Sequence, residues 1–129
     1  MSGIGRAMVA LGLVVASVMP AVASPNGVWE LETRDTRIQL QLCGDGTQLC
    51  GMLVWLSDAD YNQQYLRYLN MPVARQMAPA GAGRWKGNMQ FLGHKMSGSI
   101  TQRSEDHLTL SGCVFLVVCK TYQLYRHSL

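Results

Sequence analysis

The sequence predicts an all-β domain, an antiparallel barrel or sandwich, and three observations support this prediction. Polar and apolar residues alternate with a period of two over several short segments, as they do in half-buried strands. Glycine-rich turns separate these segments, and no long helical pattern follows the N-terminal region. Four cysteines form two close pairs, and each pair brackets the tip of a predicted hairpin.

The first hairpin is the clearest. Polar and apolar side chains alternate strictly over residues 37–42, and Gly44-Asp45-Gly46 supplies the turn. Residues 51–56 return as a more uniformly apolar strand, which indicates a central position in the sheet. We therefore expect Trp55, on the returning strand, to belong to the core.

Further strands are predicted at residues 84–92, 97–102, 107–111 and 119–126, and residues 78–83 are predicted to form a loop. The segment at residues 57–72 differs, because apolar and aromatic residues recur there at helical spacing: Tyr61, Tyr65, Tyr68 and Leu69. Pro72 would end a helix there. We predict one short helix or ordered loop after the third strand.

The N-terminal residues are predicted to be a signal peptide. Arg6 precedes an uncharged, mainly apolar run over residues 7–19, and Ala21-Val22-Ala23 follows with the small-x-small pattern of a cleavage site. The run is shorter than the roughly 20 residues of a membrane-spanning helix. We expect cleavage of residues 1–23, a single mature domain over residues 24–129 without a transmembrane segment, and a periplasmic or secreted location.

The mature chain is nearly balanced in charge. Without Arg6 it has ten basic and eight acidic residues, a net charge of +2, and no run of lysine or arginine. This balance gives no reason to expect nucleic acid as a partner.

The cysteines of an exported protein are expected to form disulfides. Four cysteines allow three connectivities, and we expect Cys43–Cys50 and Cys113–Cys119 because a hairpin would place the members of each pair opposite one another. The spacings are those of neither a structural zinc site nor a Cys-x-x-Cys redox pair, so no metal is expected.

Six short motifs together resemble a family of exported bacterial domains of unknown function, DUF2147. They are Gly27-Val28-Trp29, Leu49-Cys50-Gly51-Met52-Leu53-Val54-Trp55-Leu56, Asp60-x-Asn62, Arg84-Trp85-x-Gly87, Leu110-Ser111-Gly112-Cys113 and Tyr125-Arg126. The resemblance covers nearly the whole mature chain. It implies a small up-and-down β-barrel of the lipocalin or calycin type, whose family function is not established.

The resemblance also implies a structural role for Trp29 and Arg126. In lipocalin-like barrels a tryptophan near the start of the first strand closes one end, and a basic residue of a late strand lies over its ring. An indole buried there removes a large apolar surface from water, and a guanidinium over its face adds a cation–π contact.

Catalysis is not predicted. His94, His107 and His127 are dispersed, and no Gly-x-Ser-x-Gly motif is present. Asp58 and Asp60 could be imagined as an acid and base pair, but two aspartates after a strand are typical of a helix cap and turn. We expect no enzyme activity, no cofactor and no metal.

Binding of a small apolar ligand or an envelope component is the first functional hypothesis. We expect Tyr65, Arg67 and Tyr68 to line the open end of the barrel and to contact the ligand. Two alternatives stay open at this point: the tyrosines cover the barrel end as core residues, or side chains fill the interior and leave no cavity.

The second hypothesis is a protein-interaction module, such as an inhibitor of an envelope enzyme. Five consecutive apolar residues lie between Cys113 and Cys119 at a predicted hairpin tip: Val114, Phe115, Leu116, Val117 and Val118. A disulfide would hold them as a small hydrophobic patch, which could bind a partner protein.

Overall fold

The structure is a computed structural model, and it describes residues 23–57, 63–91, 93–114 and 118–129. Within these residues, eight antiparallel strands form a closed barrel in which each strand pairs with its neighbours in sequence and β8 pairs with β1. The elements are β1 (Gly27–Leu31), β2 (Thr36–Cys43), β3 (Gln48–Leu56), α1 (Gln63–Leu66), β4 (Pro72–Pro79), β5 (Arg84–Phe91), β6 (His94–Ser104), β7 (His107–Val114) and β8 (Val118–Ser128). The predicted fold class is confirmed, and the predicted signal peptide lies, apart from Ala23, outside the described residues.

Strand β4 was not predicted from the sequence. Val73 and Ala74 are both buried, the next two residues are exposed and Met77 is buried again, so the period of two is lost. Gln76 has a positive φ of 47°, and the register of β4 against β5 shifts between Ala74 and Ala78. A bulge of this kind adds an unpaired residue and hides the alternation by which strands are recognised.

The barrel has two ends, because successive strands run in opposite directions. We call the end with the turns after β2, β4 and β6 the Trp29 end, because Trp29 lies there beside the terminal residues of the domain. We call the other end the mouth. The connections after β1, β3, β5 and β7 lie at the mouth, and α1 belongs to the connection after β3.

The barrel interior toward the Trp29 end is solid. The buried apolar residues form one cluster, to which every strand contributes: Trp29, Leu31, Ile38, Leu40, Leu49, Leu53, Leu56, Val73, Ala74, Met77, Trp85, Met89, Ile100, Leu108, Leu110 and Leu124. The gap among Ile38, Ile100 and Leu124 has no room for a water molecule. A ligand therefore has no space in this part of the barrel.

A row of glycines on three adjacent strands makes room for methionine side chains. Gly87, Gly98 and Gly112 lie opposite one another on β5, β6 and β7. Met77 packs against Gly87, and the methyl group of Met89 lies 2.5 Å from where a Cβ of Gly98 would be. Methionine is unbranched and fills irregular gaps well, so the interior is closed here although the three glycines carry no side chains.

Both predicted disulfides are present, with different geometry relative to the strands. Cys113 and Cys119 lie directly opposite one another on β7 and β8. Cys43 lies opposite Gln48, so the Cys43–Cys50 bridge runs diagonally between β2 and β3. Each bridge joins strands that are already hydrogen-bonded neighbours and closes a short loop.

The two disulfides are expected to make similar contributions to stability. Replacing either pair by serines should lower the free energy of unfolding by roughly 2–2.5 kcal/mol, because a short loop adds entropy to the unfolded chain when it is opened. Urea unfolding followed by circular dichroism measures this. A reductant should destabilise the wild type and leave a variant with all four cysteines replaced by serine unchanged; equal urea midpoints for the oxidised and reduced wild type would contradict the prediction.

The prediction that Trp55 belongs to the core is wrong. A register shift in the β2–β3 ladder places Trp55 opposite Arg37, on the outer face. The Arg37 guanidinium lies 4.0 Å from the Trp55 ring centroid and also forms a 2.8 Å ion pair with Glu30 of β1. Three neighbouring strands are thereby linked on the outside of the barrel.

Candidate functional site

A cavity of about 350 Å³ opens at the mouth of the barrel, and we call it the mouth cavity. Its lining residues come from β5, β6, β7 and β8 and occupy positions that face the barrel interior. They are Phe91, His94, Met96, Gly112, Val114, Val118, Lys120 and Tyr122. The cavity therefore lies above the solid core, between the mouth ends of four consecutive strands.

The walls of the mouth cavity are mainly apolar. Phe91 of β5 and Tyr122 of β8 meet edge to face, with ring centroids 6.3 Å apart. These two strands are not neighbours, so the aromatic contact crosses the interior of the barrel. Val114 and Val118 lie opposite one another where β7 and β8 approach their connection. An apolar group that entered the cavity would find both aromatic rings and branched aliphatic side chains in its lining.

Met96 separates the mouth cavity from the core. Its sulfur occupies the space beside Gly112, and it lies opposite the buried Met89 on the next strand. Any side chain at position 112 would compete with Met96 for this space. The depth of the mouth cavity thus depends on a flexible methionine that rests on a glycine.

Two side chains that can carry a positive charge line the otherwise apolar mouth cavity. Lys120 lies on β8 opposite Gly112, and His94 begins β6 opposite Phe91. Both residues are exposed to solvent. Among the described residues, no carboxylate forms an ion pair with Lys120.

A wider groove of about 1100 Å³ adjoins the mouth cavity and shares His94, Met96 and Val114 with it. Arg75 and Lys95 add positive charge to this groove. No aspartate or glutamate of the described residues lines either space. The mouth end of β4, β5 and β6 is therefore basic.

Another concavity, of about 370 Å³, lies on the outside of the barrel near the bulge of β4. Gln39, Gln41 and Met52, which face outward from β2 and β3, contribute to its lining, as does the Cys50 end of a disulfide. It is more open to solvent than the mouth cavity. We therefore take the mouth cavity as the candidate functional site.

Tyr65, Arg67 and Tyr68, the residues expected to contact a ligand, lie at the mouth but do not line the mouth cavity. Tyr65 and Tyr68 are half-buried and pack against the core. Arg67 is exposed, with its guanidinium 5.5 Å from the Tyr68 ring centroid. The Tyr68 hydroxyl lies close above Gly93, in the turn between β5 and β6. These residues cover the barrel end beside the mouth cavity.

The apolar hairpin tip is described only at its two ends. Val114 is half-buried, while Val118 is 59% exposed, and both line the mouth cavity. Phe115, Leu116 and Val117 lie outside the described residues.

At the Trp29 end, Arg126 joins several segments of the chain. Trp29 is fully buried, its indole N–H donates to the carbonyl oxygen of Pro25 at 2.8 Å, and the Arg126 guanidinium lies 4.3 Å from its ring centroid. The same guanidinium donates to three backbone carbonyl oxygens at 2.7–3.0 Å, those of Ser24, Asn26 and Glu105. This network packs the N-terminal segment and the β6–β7 turn against β8.

The side chains that were weighed for catalysis and then set aside are not brought together in the part of the chain that the structure describes. His107 stacks on Tyr125 on the outer face and hydrogen-bonds to Gln123 at 2.6 Å, whereas His94 lies at the mouth. Asp58 and Asp60 lie outside the described residues. Within the described ranges, no three His, Cys, Asp or Glu side chains lie close enough together to hold a metal ion. No described helix has the length and apolar character needed to cross a membrane.

Among the residues that line the mouth cavity, Val114 and Val118 belong to the apolar hairpin tip predicted from the sequence, whereas the others were not identified as a site. A signal for one of them was present, because Lys120 occupies an inward-facing position of β8 at which the alternation calls for an apolar residue. A departure from the local pattern of this kind is typical of functional positions. Phe91, Met96 and Tyr122 carry no such signal, since apolar and aromatic residues on strands usually belong to the core.

Comparison with known proteins identifies the family. No curated protein and no solved structure matches the chain. Residues 27–126 match the family described as "Uncharacterized protein conserved in bacteria (DUF2147)". The match extends from the start of β1 almost to the end of β8, so the chain belongs to the DUF2147 family.

Proposed function

We propose that this protein is an exported binding protein, periplasmic or secreted, that holds a small apolar ligand in the mouth cavity and is not an enzyme. The observation that carries the proposal is an apolar cavity of about 350 Å³ at the mouth of a barrel whose interior toward the Trp29 end is solid. Ligand sites of proteins are typically concave, mainly apolar and 300–1,000 Å³ in volume, with a few polar groups.

The composition of the mouth cavity supports binding. Apolar surface removed from water contributes roughly 25 cal/mol per Å², and rings and aliphatic groups surround the occupant on several sides. Met96 can adjust its rotamers to ligands of different shape. The two disulfides support export, because such bridges persist in oxidising compartments.

Binding of the uncharged fluorescent probe N-phenylnaphthylamine tests the proposal. We expect a saturable rise in fluorescence with one site per chain and an affinity in the micromolar range. The variant Val114→Trp should weaken binding about tenfold or more, because an indole on the cavity wall would occupy the space of the ligand.

Met52→Trp is the matched control, because Met52 is an exposed apolar residue on the outside of β3. It adds the same indole away from the mouth cavity and should bind the probe as the wild type does. Absence of saturable binding, or equal binding by the wild type and Val114→Trp, would overturn the proposal.

A protein-interaction module is the second candidate function. The observation that favours it is the large exposure of Val118 beside the Cys113–Cys119 bridge, since clustered exposed apolar groups are typical of contact surfaces. The probe titration separates the two functions, because a module that acts through its tip has no need for a cavity that binds a small molecule.

A further inference from the structure

The distribution of charge at the mouth cannot be explained by the composition of the chain. Acidic and basic residues nearly balance over the whole sequence. Elsewhere in the described part, Arg37 pairs with Glu30 and Arg126 with Asp106. At the mouth, by contrast, Lys120 and His94 line the cavity and no described carboxylate does. As far as the described residues go, the mouth cavity therefore combines apolar walls with a lysine that no lining carboxylate offsets.

The position of Lys120 on β8 is a second observation about the positive charge in the mouth cavity. The neighbouring inward-facing residues of β8 are Val118, Tyr122 and Leu124, which are apolar. Lys120 lines the same cavity as apolar side chains and is exposed, so its ammonium group can meet water or an opposite charge there. Gly112 lies directly across from it, and the Met96 side chain fills the space beside this glycine.

We infer that the ligand of the mouth cavity is a free anionic amphiphile, an apolar chain with a carboxylate or similar head group, and that Lys120 and His94 bind the head group. This inference rests on the proposed function and adds the chemical class of the ligand. The apolar part contacts Phe91, Met96 and Val114, while the head group stays at the rim. Arg75 and Lys95 in the adjoining groove extend the positive potential that attracts an anion.

Displacement of the bound N-phenylnaphthylamine by decanoate and by decanol tests the inference. The two compounds share one alkyl chain and differ in charge. We expect decanoate to bind about fivefold more tightly than decanol, as partly exposed charge pairs would give. Added salt should reduce this difference, because it screens exposed charges.

Lys120→Met should remove most of the preference for decanoate and leave decanol binding unchanged. Lys86→Met is the matched control, because Lys86 is exposed on the outer face of β5, paired with Ala78 and Ser99, and does not line the mouth cavity. It should keep the full preference.

Three outcomes contradict the inference and are distinguishable. Equal displacement by decanoate and decanol would overturn the anionic ligand while leaving the proposed function intact. A complete lack of probe binding would overturn both. Sedimentation with phosphatidylglycerol vesicles but not with phosphatidylcholine vesicles, dependent on Lys120 and without displacement by decanoate, would show that the basic mouth binds a membrane surface instead of a free ligand.

Discussion

Replacing Trp29 by alanine is expected to lower the free energy of unfolding by about 3–5 kcal/mol, the usual cost of removing a buried aromatic side chain. The ring is fully buried and closes the Trp29 end. Its loss would leave a cavity beneath the Arg126 guanidinium and remove the hydrogen bond to Pro25. Urea unfolding followed by circular dichroism measures the change.

Trp55→Ala is the control for this substitution. It removes the same side chain from the outer face, where Trp55 is half-buried and contacts Arg37. The expected loss is about 1 kcal/mol, mainly from the exposed cation–π contact. If the two alanine variants were equally stable, the closing role of Trp29 at its end of the barrel would be refuted.

Replacing Gly98 by alanine is expected to cost about 2–3 kcal/mol, because an added methyl group has no free space at this position. A Cβ at residue 98 would lie 2.9 Å from the Gly112 Cα and would also meet the backbone carbonyl oxygen of Ser111. Both atoms belong to the backbone of β7, so they can move only if β6 and β7 separate.

Gly87→Ala is the matched control for Gly98→Ala. Gly87 lies opposite Gly98 in the same glycine row, but its nearest neighbour for an added Cβ is the Met77 Cα at an ordinary 3.4 Å. Alanine there should leave the free energy of unfolding unchanged or raise it by up to about 1 kcal/mol, because it restricts the unfolded chain. Equal destabilisation of both variants would contradict the close packing of Gly98 against the backbone of β7.

Local pattern was sufficient to predict most strands. The strict alternation over residues 37–42 predicts β2, and the alternation over residues 107–111 predicts β7, because a strand with one buried face must alternate. Strand β4 was missed, since its bulge at Gln76 breaks the alternation. Trp55 was placed in the core because the register shift that turns it outward depends on pairing with β2, which a single strand does not reveal.

The candidate site could be predicted only in part. Tyr65 and Tyr68 lie at the mouth end, yet the cavity itself is lined by Phe91, Lys120 and Tyr122, which the closure of the sheet brings together. No local period relates residues that lie on different strands. Whether space remains inside the barrel depends on the sum of the side-chain volumes, including the methionines that fill the glycine row.

The sequence by itself determined the all-β class, the family and the two cysteine pairs. It also indicated that Trp29 and Arg126 close one end of the barrel. These features depend on local alternation, spacing and short motifs. Only the tertiary structure decided where the interior is solid and where it is open. The reason is physical: packing density and the juxtaposition of charges are properties of the closed barrel, in which Lys120 and Phe91 face one cavity although they are far apart along the chain.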